Sequence, residues 1–352
     1  MFTLKEILQY QKENDLSDVH LISGLSPMAR NHHGEIKAFS DDVLTKELIS
    51  EFIKEICSEK EINELKEMGN LDKADTFFDV ARFRVNVFTE RRGHGINFRI
   101  IPNELTKIDD LDIPSEIRTH VLGRSGLVIV SGPNNSGKTT ILNSFVELIN
   151  EVKKVKIITF EDPIEYIHEM KKSLISQHQI SVEHKSRLKN DLKSVFRQDV
   201  NVVCIGEIRD TEMMNIALEM AETGYLVMGT MHATDTIQTL ERIANMFDSS
   251  NRQQLFQQLS IQLKSIICQH LVPGIKESLI PCREVLISTD AVRNVIANGD
   301  LSDLARPLET DSINGNTCFD QYLVDLFQKK QIEQSTVYEY CHNRSFVNQI
   351  MK

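Results

Sequence analysis

The chain has 352 residues, 41% hydrophobic and 26% charged, and its 40 basic and 51 acidic residues give a formal net charge of −11. This length predicts two domains, and the negative charge disfavours long-range attraction to nucleic acid or an anionic membrane, although a local basic groove could still form. No apolar run approaches the roughly 18 residues that cross a bilayer, and residues 1–15 lack a signal-peptide core. We therefore expect a cytoplasmic protein that binds no nucleic acid.

The first hundred residues mix the two kinds of secondary structure. Hydrophobic spacing predicts helices at 4–11, 45–58 and 60–68, and strands at 19–23, 81–88 and 95–100. This pattern predicts a small α+β domain over residues 1–104. Residues 105–118 contain Pro114 and the acidic positions Asp109, Asp110 and Asp112, which interrupt the pattern and predict a linker.

Strands and helices alternate after the break. Apolar runs at 126–131, 155–160, 201–206 and 225–231 are separated by helical segments, and the pattern is helical with loops from about residue 290. Such alternation is typical of a largely parallel sheet covered by helices. Residues 119–352 are therefore predicted to form an α/β domain. None of the six cysteines forms a C-x-x-C pair, which disfavours a zinc ribbon, and Cys204 is predicted to be a core residue.

A phosphate-binding loop follows the first strand of this domain. Gly132 to Thr139 match the spacing G-x-x-x-x-G-K-T between an apolar strand and a helix-forming run, which is the context that such a loop requires. Backbone N–H groups of the loop and of the helix N-terminus would receive phosphate oxygens. We expect Lys138 to reach the β- and γ-phosphates and Thr139 to bind Mg²⁺. The predicted nucleotide-binding residues are Gly132, Pro133, Asn134, Asn135, Ser136, Gly137, Lys138, Thr139 and Thr140.

Acidic residues follow the next two strands of the predicted sheet. Glu161, Asp162 and Glu165 come after one strand, and Glu207 and Asp210 come after another. Hydrolysis of a phosphoanhydride needs one carboxylate near the metal and another that orients water. Single acids in such positions are also common as helix N-caps, so the pair beside a phosphate loop is what favours catalysis. A later strand ends at His232, which could contact the γ-phosphate or be structural.

The segments in chain order resemble the secretion-superfamily ATPases, most closely the PilT-like retraction ATPases of type IV pili. GPNNSGKT (132–139) resembles their Walker A loop, ITFEDPIEYIHE (158–169) their Asp box, VVCIGEIRD (202–210) their Walker B and TGYLVMGTMHA (223–233) their His box. SDVHLISGLSPMAR (17–30) and ARFRVNVFTERRGHGINFRIIP (81–102) resemble the amino-terminal region. AVRNVIANG (291–299) resembles a motif of the retraction branch. The resemblance implies a RecA-like P-loop ATPase domain after a small PAS-like domain.

The resemblance also implies roles for individual residues. Glu165 would polarise the attacking water, Glu207 would lie near Mg²⁺ in the Walker B position, and His232 would act in the His box. Arg82, Arg84 and Arg99 occupy positions where the family carries arginines that reach the nucleotide of a neighbouring subunit. Solvated strand arginines are the alternative for at least one of the three.

Two positions and one segment depart from the family pattern. Asn135 replaces a glycine, which the loop can tolerate because asparagine adopts positive φ better than most residues. Tyr225 stands where a first histidine is common, and ISVEHKSRLK (180–189) lacks the usual shape of its loop. These departures favour a divergent branch, such as one that serves a type IVb or bundle-forming pilus.

The function that the resemblance implies is a homo-hexameric, Mg²⁺-dependent ATPase that powers type IV pilus retraction and twitching motility. It would act on a polytopic platform protein at the cytoplasmic face of the inner membrane, with membrane association only through that partner. Retraction is favoured over assembly because the chain begins almost directly with the small domain and lacks a four-cysteine set. The alternatives are an ATPase of a related secretion or pilus-assembly system, a nucleotide-gated scaffold and a nucleic-acid motor.

The segment at 291–299 allows two interpretations. Ala291, Val292, Val295 and Ile296 have the spacing of an ordinary buried helix face. Arg293 and Asn294 fall off that face and are predicted to be available to a partner.

Overall fold

The fold is described from a computed structural model of the chain, covering residues 3–31, 35–102, 105–180, 185–275 and 278–351. Side chains are described for the same residues except 185–188. Most of the segment 180–189, for which an atypical loop is predicted, therefore lies outside the described side chains. The chain forms two compact units: Met1–Glu104 with Glu161–Ile167 and Gln179–Ser181, and Leu105–Phe160 with His168–His178 and Val182–Lys352.

Among the described residues, the first unit contains an antiparallel sheet and three helices. Its helices are α1 (Leu4–Glu13), α2 (Lys46–Ile56) and α3 (Glu59–Met68), and its strands are β1 (Asp18–Ile22), β2 (Met28–Arg30), β3 (Ile36–Ala38), β4 (Asn70–Phe77), β5 (Ala81–Glu90) and β6 (Gly93–Ile101). The strand order is β3-β2-β1-β6-β5-β4, and each neighbouring pair is antiparallel. Thr3 and Ser58 close capping boxes at the starts of α1 and α3, which fixes where these helices begin.

Strand β5 shows how the sheet positions charged side chains. Successive residues of a strand point to opposite faces, so the buried Phe83, Val85 and Val87 belong to the core of this unit. Arg82 and Arg84 alternate with them and are therefore presented on the other face. The Phe83 ring packs edge-to-face against Phe98 at 6.0 Å between centroids, which joins β5 to β6.

The second unit, in the part that the structure describes, contains a mixed sheet of seven strands. They are β7 (Gly126–Ser131), β8 (Lys156–Glu161), β9 (Leu174–Gln179), β10 (Val202–Ile205), β11 (Leu226–Met231), β12 (Leu263–Pro273) and β13 (Leu279–Ile287). The order is β13-β12-β7-β11-β10-β8-β9. The five strands from β12 to β8 are parallel, and β13 closes one edge as the antiparallel partner of β12. The predicted parallel sheet is therefore present, and β7, β10 and β11 are fully buried as a covered parallel sheet requires.

The helices of the second unit are distributed along its whole length. They are α4 (Ser115–Val121), α5 (Lys138–Val152), α6 (Lys185–Ser194), α7 (Thr211–Glu222), α8 (Thr236–Met246), α9 (Arg252–Gln262), α10 (Asp290–Asn298), α11 (Ala305–Thr310), α12 (Phe319–Gln328), α13 (Gln334–Tyr340) and α14 (Arg344–Ile350). Ile108, Ile113 and Ile117 of the segment before β7 belong to the same hydrophobic cluster as α5 and the sheet. In the part of the chain that the structure describes, no helix has both the length and the apolar character needed to cross a bilayer.

Two sequence-based expectations need correction or addition. Helix α10 buries Val292 and Ile296, but Ala291 is exposed, because its side chain lies at the margin of the buried face. The hairpin of β12 and β13 is not apparent in the sequence pattern, since α9 runs directly into β12 without a turn signal.

Candidate active site

The phosphate loop connects β7 to α5. Gly132, Asn135 and Gly137 have φ of 148°, 61° and 86°, so the loop uses the left-handed region at three places. Asparagine enters this region more readily than most residues, which is why Asn135 is compatible with the loop. Within the described residues, no side chain caps the start of α5, so its first backbone N–H groups are left to an incoming acceptor.

The Lys138 side chain lies across the loop. Its Nζ donates to the carbonyl oxygens of Gly132 at 3.0 Å and Pro133 at 2.5 Å. Burial lowers the pKa of Lys138, while the carboxylate of Glu207 opposes that shift. The ammonium is thus held inside the loop by weak neutral acceptors, which a phosphate oxygen can replace with a charge-assisted bond.

Ser136 provides a test of whether this loop fits a phosphate group. Its side chain is buried, and its Oγ has no hydrogen-bond partner among the described residues. A buried hydroxyl without a partner is costly, so this one is suited to donate to an oxygen-rich ligand at the loop. Thr139 and Thr140 follow in the first turn of α5 and are half-buried. The residues present therefore fit a bound nucleotide phosphate.

Glu207 lies just beyond the end of β10. One carboxylate oxygen is 2.8 Å from Nη2 of Arg209, and the other is 3.3 Å from Nε2 of His232, which follows the adjacent strand β11. Burial acts to raise the pKa of Glu207, but Arg209, His232 and Lys138 outweigh it, so the pKa is lowered. The structure therefore places the ionised Glu207 carboxylate in contact with His232, and the positive charge of Lys138 helps to keep that carboxylate ionised. One carboxylate with the Thr139 hydroxyl is a ligand set that suits Mg²⁺, which usually keeps water and phosphate ligands.

Glu165 belongs to the first unit, where two of the predicted arginines contact its segment. Nη1 of Arg84 lies 3.1 Å from the Glu165 carboxylate. Arg82 contacts the backbone instead, because its Nε donates to the Glu165 carbonyl and its Nη2 to the Ile164 carbonyl, both at 2.7 Å. Arg84 therefore contacts the carboxylate of this acidic segment, and Arg82 contacts its backbone.

Arg99 is not part of this group. It pairs with Arg84 in the register of β5 and β6, but its Nε donates to Asp18 of β1 at 2.7 Å. The structure thus divides the predicted residues into a set around Lys138, Glu207 and His232 in the second unit and a set around Glu165 in the first.

Sequence reasoning missed two polar residues that contact the phosphate loop or its neighbours. Gln269 of β12 and Arg283 of β13 are both buried, and the Gln269 amide donates to the Ser136 carbonyl. The signal that could have identified them is a polar residue within an apolar strand, but the sequence pattern does not reveal β12 or β13 as strands.

Comparisons with known proteins show the family to which the chain is similar. Residues 72–319 match the family model described as type II/IV secretion system protein. The "Type IV pilus retractation ATPase PilT" of Pseudomonas aeruginosa is 32% identical over 96% of this chain and 97% of its own length. A "Twitching motility protein" of Neisseria gonorrhoeae is 33% identical over 88% of this chain and 82% of its own.

A solved structure extends the similarity to the whole fold. The crystal structure of the pilus retraction motor PilT with bound ADP superposes with a TM-score of 0.89 at 31% identity, covering 99% of this chain and 100% of that one. The resemblance to pilus retraction ATPases that the motifs indicate is confirmed. The predicted α/β fold, with a small domain before the P-loop domain, is confirmed as well.

Proposed function

The chain belongs to the type II/IV secretion system protein family, and we propose that it is the motor that retracts a type IV pilus. It is an ATPase of that family. The observation that carries the proposal is the set formed by Lys138, Glu207 and His232 at the phosphate loop, in a chain similar to a pilus retraction ATPase along nearly its whole length.

The proposed chemistry is hydrolysis of ATP. The loop residues 132–140 would hold the phosphates, and Thr139 with Glu207 would hold Mg²⁺, which supplies positive charge to the phosphate oxygens when bound. Glu207 is kept ionised by Arg209 and His232, so it is available as a ligand at neutral pH. Glu165 would orient the attacking water, and Arg84 sets the direction of its carboxylate.

We further propose that six copies assemble into a ring. In this assembly the segment 1–104 acts as a separate domain, residues 105–118 as its connection and residues 119–352 as the ATPase domain. Arginines of the first domain would reach a neighbouring subunit's nucleotide, which neutralises charge that develops during hydrolysis. The ring would act on a polytopic platform protein at the cytoplasmic face of the inner membrane. Gel filtration that finds a monomer with full ATPase activity would contradict this assembly.

The test is deletion of the gene in its host, followed by complementation with the wild type, Lys138→Ala or Lys329→Ala. Lys329 is exposed outside the site, so the last variant controls for loss of a lysine. Abundant pili that no longer retract, rescued by the wild type and Lys329→Ala only, are the expected result. Loss of pili would instead make the chain an assembly ATPase, and unchanged pili would point to a related secretion system.

ATP turnover of the purified chain distinguishes the proposed motor from two other functions, a nucleotide-gated scaffold and a nucleic-acid motor. Wild-type turnover that Lys138→Ala abolishes excludes a scaffold that binds nucleotide without hydrolysis. Turnover that rises severalfold with added DNA or RNA at near-physiological salt would support a nucleic-acid motor and contradict the proposal.

A further inference from the structure

A polar pair lies inside the hairpin at the edge of the central sheet. Gln269 of β12 and Arg283 of β13 are directly opposite each other in the strand register. Gln269 is 4% exposed and Arg283 is 1% exposed, and Arg283 is the largest fully buried side chain among the described residues. Burying a guanidinium costs folding free energy unless the group is paired, so the presence of Arg283 at this buried position suggests a specific role.

Gln269 connects this hairpin to the phosphate loop. Its Nε2 donates to the Ser136 carbonyl at 2.5 Å. The approach is close, because a Cβ at Gly137 would lie 2.7 Å from that same nitrogen, and one at Gly132 would collide with the Gln269 carbonyl. Both ends of the loop are therefore shaped around one glutamine.

Arg283 fixes which way the glutamine amide points. Its Nε donates to Gln269 Oε1 at 2.6 Å, so the NH₂ group of the amide is directed to the loop. On its other side, Nη1 of Arg283 lies 3.5 Å from the Tyr322 hydroxyl, which donates to Asp112 at 3.2 Å. Within the described residues Nη2 has no hydrogen-bond partner.

We propose that Gln269 and Arg283 are positioning residues of the phosphate loop. Arg283 orients the Gln269 amide, and the amide holds the Ser136 carbonyl, so that the adjacent backbone N–H groups stay directed at the phosphate position. The pair acts through the loop and touches no reacting atom. This inference rests on the proposed nucleotide site.

Electrostatics gives the pair a second effect. Arg283 is linked to the loop through the Gln269 side chain, and on its other side Tyr322 links it by hydrogen bonds to the carboxylate of Asp112. A phosphate in the loop would add compensating negative charge on the other side. Binding is therefore expected to relieve part of the cost of burying Arg283, so that loss of the charge weakens binding more than it weakens the fold.

Three variants separate these effects. Gln269→Met removes both hydrogen bonds with little change in volume, Arg283→Met removes the charge, and Gln269→Glu keeps the partner of Arg283 but places an acceptor beside the Ser136 carbonyl. Asn316→Ala is the matched control, because Asn316 is also a buried amide in this unit and accepts from the Ile287 N–H at 2.8 Å away from the loop.

The measurement is the affinity of the full chain for fluorescent ADP by anisotropy, with thermal melting on the same samples. Gln269→Met and Gln269→Glu should weaken binding by about tenfold or more and Arg283→Met by about fivefold, while Asn316→Ala should lower Tm and leave affinity within about twofold. Wild-type affinity in both Gln269→Glu and Arg283→Met would overturn the proposal.

If Gln269→Met shows no cooperative thermal unfolding, the role of Gln269 is judged from Gln269→Glu, for which about tenfold weaker ADP binding is again the expected result. Lys138→Ala distinguishes the two levels of the argument: if it binds ADP as the wild type does, the proposed nucleotide site fails. If it loses binding while the Gln269 and Arg283 variants do not, only the positioning role fails.

Discussion

Nε2 of His232 lies 3.3 Å from Oε1 of Glu207, although 25 positions of chain separate the two residues. They meet because β10 and β11 are parallel neighbours, so that residues following the two strands emerge at the same edge of the sheet. Arg209 occupies the other oxygen of the same carboxylate. Glu207 is thus oriented by two partners before any ligand is considered.

We expect Glu207→Gln to lower kcat for ATP by about 10²–10³-fold, because the amide keeps the shape but loses the charge that electrostatic catalysis requires. ADP affinity should change by less than about threefold, since the loop backbone and Lys138 remain. Steady-state turnover and anisotropy on one preparation check this. Glu212→Gln is the control, because Glu212 is a carboxylate of α7 paired with Lys189. Equal loss in both variants would contradict a specific role for Glu207.

Arg82 is expected to act within its own chain. Its guanidinium donates to two carbonyls of the Glu165 segment at 2.7 Å, which fits support of that segment rather than contact with a neighbour. Arg82→Ala or Arg99→Ala would be mixed with Lys138→Ala subunits, which carry intact arginines but no functional loop. Recovery of ATPase activity is expected for Arg99→Ala, which we expect to act across the interface, and not for Arg82→Ala. Recovery with Arg82→Ala would assign it to the neighbouring site.

Asn135 tests how much the loop depends on its left-handed conformation. Asn135→Gly should keep ADP affinity within about twofold, because glycine adopts φ near 61° without strain. Asn135→Val should weaken binding by about tenfold, since a β-branched residue in this region costs about 1–2 kcal/mol. Asn251→Val serves as control, because Asn251 is exposed, lies outside the phosphate loop and has a φ of −100°. Equal ADP affinity of the glycine and valine variants at position 135 would show that the conformation is not required.

The parts of the fold and site that the sequence predicts are those encoded by neighbouring residues. The phosphate loop is contiguous, so its spacing and flanking strand are sufficient to locate it. The acids after β8 and β10 are predictable as well, because the apolar runs that precede them reveal the strand ends. The loop and these acids are both predictable because each is recognised from residues that are close together in the sequence.

The remaining features depend on distant contacts. Gln269 lies 133 positions from Ser136, and their contact exists only once β12 is placed beside β7. Arg82 illustrates the same limit. Alternation along β5 predicts that the Arg82 side chain points away from the core. Its hydrogen bond to the Glu165 segment, however, depends on tertiary structure and cannot be predicted from the strand alone.

Glu284 should make stability depend on pH. This buried carboxylate of β13 accepts from the N–H and hydroxyl of Thr236 at 2.8 and 2.7 Å and from the Phe319 N–H at 3.4 Å, so one side chain serves the first residues of α8 and α12. Burial raises its pKa above the ordinary value despite these bonds. A raised carboxyl pKa means that the folded state holds the proton longer, and its contribution is lost as pH rises through that pKa.

We therefore expect Glu284→Gln to gain stability relative to the wild type as pH rises from about 5 to about 8, because the amide keeps an acceptor without ionising. Tm measured across this range tests the sign. Glu339→Gln, at an exposed position, should follow the wild-type curve. The expected ionisation would be contradicted if the Tm of Glu284→Gln, relative to that of the wild type, stayed constant or fell as pH rises.

The exposed side of α10 is expected to serve motility rather than hydrolysis. Arg293 forms an ion pair with the neighbouring Asp290 at 3.5 Å, and Asn294 is exposed, so their loss should cost the fold less than about 1 kcal/mol. Arg293→Ala with Asn294→Ala should leave ATPase activity within about twofold and reduce pilus retraction. Ile296→Ala is the contrast, because removing this buried side chain should cost about 2–5 kcal/mol and impair both. If the double variant loses both activities as Ile296→Ala does, α10 is a structural helix and the partner lies elsewhere.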